Sequence, residues 1–99
     1  MRLSLQAQQI IKNTTKEVFG IDAVVKVFGS RIDDDARGGD IDLLVELPFV
    51  IADSERKTLQ LTARLQLRMG DQPIDVLVID PSTHWQSIHA QANRTGITL

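Results

Sequence analysis

The sequence predicts an α/β (α+β) sandwich, a small mixed β-sheet with helices packed on it in the order α-β-β-α-β-α. Three observations predict it. Two segments carry apolar residues at helical spacing or are built from helix-forming residues. Three short segments, 23–28, 41–47 and 74–79, are rich in β-branched and apolar residues. Helical and strand patterns then alternate along one short chain, which a two-layer packing accommodates.

The first helix is expected over residues 3–19. Leu3, Ala7, Ile10, Ile11, Thr14 and Val18 recur at spacings of three and four. Gly20 is placed to stop it. AVVKVF at 23–28 reads as a strand that ends at Gly29-Ser30. An Asp- and Gly-rich loop follows. IDLLVEL at 41–47 is the second strand, closed by Pro48.

Residues 53–69 are ambiguous by period, because Leu59, Leu61, Ala63, Leu65, Leu67 and Met69 alternate. Their residue types favour a helix, Asp53 or Ser54 can cap it, and seventeen residues are long for a strand. As a helix it has two apolar sides, Leu59/Ala63/Leu67 and Leu61/Leu65/Met69. One packs on the sheet. The other either joins the core or meets a second chain. IDVLVI at 74–79 is the third strand, Asp80-Pro81-Ser82 a turn, and 83–94 a short last helix ended near Gly96. His84, Trp85 and His89 fall on that helix and carry no assigned role.

The chain has 99 residues, so one domain spanning 1–99 is expected. Net charge is -2 and the pI about 5.5, which argues against a broad nucleic-acid surface. Without cysteine, disulfides and thiolate zinc sites are excluded. No apolar run reaches membrane-spanning length, and the first residues carry no signal-peptide pattern. A cytoplasmic location is the expectation, with no membrane partner.

The chemistry concentrates in the acids. Asp40 and Asp42 are two apart at the mouth of a strand and share a face, while Ile41 points into the core. Asp75 interrupts the third apolar strand. If those strands are neighbours, the three carboxylates converge. Converging carboxylates raise one another's pKa values, and a divalent cation relieves this. Hard oxygen ligands favour Mg²⁺, and three acids can hold two ions around an in-line phosphoryl or nucleotidyl displacement. Gly29-Ser30, just after a strand, can present backbone N–H groups and a hydroxyl to phosphate, and Arg31 adds a guanidinium. The bland alternative is that Asp40 and Asp42 cap a loop, Asp75 sits in a turn and Gly-Ser-Arg is a plain bend. Asp33, Asp34 and Asp35 read as a solvated loop, and Arg37 has no firm place.

Taken together, Phe28-Gly29-Ser30-Arg31, Gly38-Gly39-Asp40-Ile41-Asp42-Leu43 and Ile74-Asp75-Val76 resemble the nucleotidyltransferase superfamily of the DNA polymerase β type. The resemblance is nearest to the minimal nucleotidyltransferases, MNT. The spacer between Gly-Ser and Asp-x-Asp is nine residues, and Gly38-Gly39 stands where the common form has Ser or Pro-Ser. The resemblance spans about residues 20–80. It implies the nucleotidyltransferase fold, with Asp40, Asp42 and Asp75 as catalytic and Mg²⁺-binding residues. Gly29, Ser30 and Arg31 would bind ATP or another NTP. It further implies transfer of a nucleoside monophosphate, AMP by preference, to a hydroxyl acceptor. Such proteins are often encoded beside a helical HEPN protein and act as the antitoxin of a toxin–antitoxin pair. A HEPN-type partner is therefore expected, and self-association is left open. The alternative is a non-catalytic module that neutralises a helical partner by contact.

Overall fold

The computed structural model describes residues 3–29 and 39–99. Among the described residues, three helices and a four-stranded mixed sheet make a small α+β protein. In chain order the elements are α1 (Leu5–Phe19), β1 (Val24–Phe28), β2 (Ile41–Glu46), α2 (Ser54–Met69), β3 (Ile74–Ile79), α3 (Ser87–Thr95) and β4 (Ile97–Thr98). The sheet order is β3-β2-β1-β4. β1 pairs antiparallel with both β2 and β4, and β2 pairs parallel with β3. The two-residue strand β4 was not foreseen. It is too short to carry a sequence pattern, and only the open edge of β1 makes it a strand.

α1 starts where Ser4 accepts a hydrogen bond from the Ala7 N–H at 3.0 Å. It stops at Gly20, whose φ of 104° suits glycine and whose N–H reaches the Lys16 carbonyl. The predicted stripe is its buried face: Ile11 and Thr14 are fully buried, and Val18 nearly so. Thr14 and Thr15 are buried polar residues, and each hydroxyl donates to the carbonyl one turn back, at 2.7 Å. Their burial is thereby satisfied.

The sheet has two unequal sides. Ile41, Leu43 and Val45 of β2, with Val25 and Val27 of β1, pack against Ile11, Val18 and Phe19 of α1 and Leu61 and Leu65 of α2. This is the main core. At roughly 25 cal/mol per Å² of buried apolar surface, it is the chief driving force for the fold. The other side is smaller. Leu44 and Ile79 are buried there against Ala92 of α3, with Phe28 and Leu77 packed on them.

α2 settles the ambiguity in its sequence. Leu61 and Leu65 are completely buried, while Leu59 is 71% and Leu67 87% exposed. Ala63 is exposed too. The second apolar stripe is therefore not core. On the helical wheel it lies opposite Leu61 and Leu65, the residues that fill the contact with the sheet. Arg68 and Arg64 on a third side meet Glu17 of α1, with Arg68 Nη2 to Glu17 Oε1 at 2.9 Å. Lys57 Nζ caps the end of α1 through the Val18 carbonyl at 3.1 Å.

The last helix begins four residues later than expected. Residues 83–86 are not helical, so His84 and Trp85 lie before α3 and share no helical face with His89. The physical reason is local. Asp80 holds a turn by accepting from the Ser82 N–H at 2.8 Å and the Ser82 hydroxyl at 2.6 Å, while the Asp80 N–H donates to Thr83 Oγ1. Asp80 also accepts from the Ile51 N–H at 3.0 Å, tying the turn to the segment before α2. These bonds hold its carboxyl below the usual range, the Ser82 hydroxyl contributing most. α3 then starts where His89 Nδ1 accepts from the Gln86 N–H at 2.9 Å. No helix among the described residues is long and apolar enough to cross a membrane.

Candidate functional site

Strand register builds the site. β2 and β3 run parallel with Asp42 beside Asp75, and β1 places Phe28 on the other flank of Asp42. One row across the sheet therefore reads Phe28, Asp42, Asp75. Side chains alternate along each strand, so this row lies on the same side as Leu44 and Leu77, the thinly covered side beneath α3. Ile41 and Ile74, one residue earlier, point to the main core. That alternation lets the strands bury their apolar residues and still present acids.

Adjacent strands are about 4.8 Å apart. Two ionised carboxylates near that spacing repel by about 1–3 kcal/mol, at the low end where water reaches them. Asp75 is exposed and Asp42 half-buried. Partial burial raises the Asp42 pKa first, and the charges of Asp75 and then Asp40 raise it further. Asp75, which interrupts an apolar strand, is nonetheless open to solvent. β3 is an edge strand, so its acid reaches water. The carboxylate under stress is Asp42, on the inner strand.

Gly29 closes over this acid. Its φ is 76°, a conformation that side chains with a Cβ rarely adopt. A Cβ there would overlap Asp42 Oδ2 and lie 3.2 Å from Asp42 Cγ. The glycine is thus required twice, by its backbone angle and by the carboxylate it packs on. The sequence pointed to Gly29 as a phosphate-binding turn but could not show that it abuts Asp42.

Asp40 lies just before β2 and is exposed. It is near enough to act on Asp42, but among the described residues no three His, Cys, Asp or Glu side chains are gathered into a ready-made metal cage. The core of the site is a pair, Asp42 and Asp75, with Asp40 at its approach. Ser30, Arg31, Arg37 and the Asp33–Asp35 run lie outside the described residues. Lys26, on the same side as Phe28, is engaged by Asn93 Oδ1 at 2.6 Å.

The donor set fits a hard divalent cation. Paired oxygens, one with a raised pKa and neither matched to a cationic side chain in the bonds described, are stabilised by positive charge between them. The backbone packed on Asp42 at residue 29 is a glycine, so no side chain comes between it and the carboxylate. Sequence reading missed the residues beside the site. A groove of about 500 Å³ runs along β3, lined by Val76 and Val78, by Ser54, Thr58 and Leu59 of α2 and by His89 of α3. No local pattern announces it, because it exists only where β3 forms the sheet edge.

No family model matches the chain, and no curated protein matches it at a significant level.

Proposed function

We propose that this protein is a nucleotidyltransferase of the minimal, polymerase β type, transferring a nucleoside monophosphate, AMP from ATP, to a hydroxyl acceptor. The observation that carries this reading is the in-register pair Asp42 and Asp75 beside Gly29. Asp40 and Asp42 would hold Mg²⁺ and Asp75 would complete its sphere. Bound there, the metal supplies charge for the triphosphate and the leaving pyrophosphate. Gly29 and Ser30 would receive the terminal phosphates, with Arg31 pairing to their oxygens. Asp75, exposed on the edge strand, is accessible to an acceptor hydroxyl and can take its proton.

The acceptor in this reading is a protein partner, a helical HEPN-type toxin for which the chain serves as antitoxin. The exposed Leu59/Ala63/Leu67 stripe supports a protein partner, since a lone chain gains nothing from it. It equally favours the second reading, an antitoxin that neutralises its partner by contact alone.

Incubating the chain and its partner with α-labelled ATP and Mg²⁺ separates the two. Label on the partner, abolished in Asp42→Asn, supports transfer. Full neutralisation by Asp42→Asn without any label leaves the contact module.

A further inference from the structure

We propose that the open edge of β3 is an acceptor-docking site that takes an extended, basic, hydroxyl-bearing peptide segment as an added strand. The chemical half of this inference rests on the nucleotidyl-transfer reading. The docking half does not.

The backbone carries the argument. Pro73 and Ile79 accept hydrogen bonds through their carbonyls from Ile41 and Leu47. Both bonds point inward, toward β2, and strand residues alternate in direction. Residues 75 and 77 therefore also bond inward. Ile74, Val76 and Val78 turn their N–H and C=O groups outward, to the side where, among the described residues, β3 has no neighbouring strand. Three residues with unpaired polar backbone make a template for an added strand. Among the described residues this edge has few of the usual protections: β3 has six residues, no proline, no lysine and no bulge in its pairing with β2, and its one charge is Asp75.

The groove fits a strand in shape and charge. It runs along Val76, Leu77 and Val78 between α2 and α3. α2 links the parallel strands β2 and β3, so it runs opposite to β3 and its first turn stands at the Val78 end. Glu55 therefore overlooks that end, and among the described residues no Lys or Arg lines the groove. With Asp75 at the other end, a basic segment is complementary and an acidic one is repelled. His89 uses Nδ1 at the helix cap, which leaves Nε2–H as its remaining donor to an occupant.

An added antiparallel strand has a defined register. Its residue opposite Asp75 points to the same face, with Cβ atoms about 4.5–5.5 Å apart. A hydroxyl there meets the Asp75 carboxylate. Three residues earlier, opposite Val78, a lysine can reach Glu55. In the reaction, the acceptor oxygen bonds to the α-phosphorus of the nucleoside triphosphate. The bond from that phosphorus to the oxygen bridging the β-phosphorus breaks, pyrophosphate leaves with the electron pair, and the hydroxyl proton goes to Asp75.

A second copy of the chain is a poorer occupant. Two-fold self-pairing that uses all three outward residues is centred on Val76. It makes the two Asp75 carboxylates diagonal neighbours on one face, with no cation between them from either groove lining.

The test is amide hydrogen exchange by NMR on the full chain, with the acetylated, amidated peptide Lys-Val-Val-Ser-Val-Lys as probe. At about ten times its Kd, the peptide should slow exchange at Ile74, Val76 and Val78 by roughly tenfold and leave Asp75, Leu77 and Ile79 unchanged. The same peptide with Glu for Lys should bind at least several-fold more weakly. Unchanged exchange at the three outward amides overturns the proposal. So does protection of those amides in peptide-free protein that grows with concentration, which marks a second copy. With ATP and Mg²⁺ added, Val76→Pro removes one outward donor without touching the β2 ladder and should cut peptide labelling at least tenfold. Labelling that survives Val76→Pro leaves nucleotidyl transfer standing and sinks the docking edge. Alternating protection with no labelling does the reverse. The exchange measurement on the unmodified chain decides the matter even if Val76→Pro fails to fold.

Discussion

Asp42 and Asp75 stand side by side in the parallel β2–β3 pair, one on an inner strand and one on the sheet edge. The inner acid is half-buried and the outer one exposed. Asp42 thus feels both the cost of burial and the charge of its neighbours, while Asp75 is free to meet an incoming group.

The pair should be needed for chemistry and not for folding. Asp42→Asn and Asp75→Asn should each lower nucleotidyl transfer by more than about a hundredfold, since even groups outside a metal's first ligands cost about 10–100-fold. Circular dichroism and melting should show both variants folded. Wild-type rates in either variant would remove the acids from the mechanism.

The same acids predict a pH dependence. The Asp42 pKa is raised in the folded chain, by burial, then Asp75, then Asp40. The folded state therefore holds this proton to higher pH than the unfolded state does. Its contribution to stability is full below the ordinary carboxylate range and is lost as pH rises through the raised value. Asp42→Asn should remove that loss, stabilising the protein at neutral pH by under about 1 kcal/mol because solvent screens the site. Urea titrations at acidic and neutral pH would reveal it. Mg²⁺ should stabilise the wild type more than Asp42→Asn. Equal Mg²⁺ stabilisation of both would remove Asp42 from the cation site.

Gly29→Ala tests the close approach of backbone to acid. The new methyl meets Asp42 Oδ2 and a positive φ together. A destabilisation of about 1–3 kcal/mol is expected, with loss of nucleotide turnover as the carboxylate is pushed aside. A neutral substitution would mean that the turn relaxes freely.

The two sides of α2 should behave oppositely. Leu61→Ala and Leu65→Ala, at fully buried positions, should cost about 2–5 kcal/mol. Leu59→Ser and Leu67→Ser should change the stability of the isolated chain by less than about 0.5 kcal/mol. They should weaken partner capture in a pull-down if the stripe is a contact surface.

Much of the fold was legible from local pattern. The α1 stripe, the strands around Val27, Leu43 and Val76, and the Gly20 stop follow from periodicity and from glycine's backbone freedom. The start of α3 was not legible, because the Asp80 carboxylate holds residues 80–83 in a turn and His89 rather than Thr83 marks the first helical turn. Of the candidate site, Asp42 and Asp75 were legible as acids beside apolar runs. Their unequal burial was not, since it depends on which strand lies at the edge.

By itself the sequence determined where α1 and the strands β1, β2 and β3 lie and that acids sit at two strand mouths, because short-range periodicity and side-chain chemistry are written into neighbouring positions. Only the tertiary structure decided that β2 and β3 pair in the register that joins Asp42 to Asp75, that Gly29 lies on that acid, and that β3 is the outermost of the described strands. Register and edge position arise from contacts between segments far apart in the chain, where the burial of Leu43, Val45 and Leu61 outweighs every local preference.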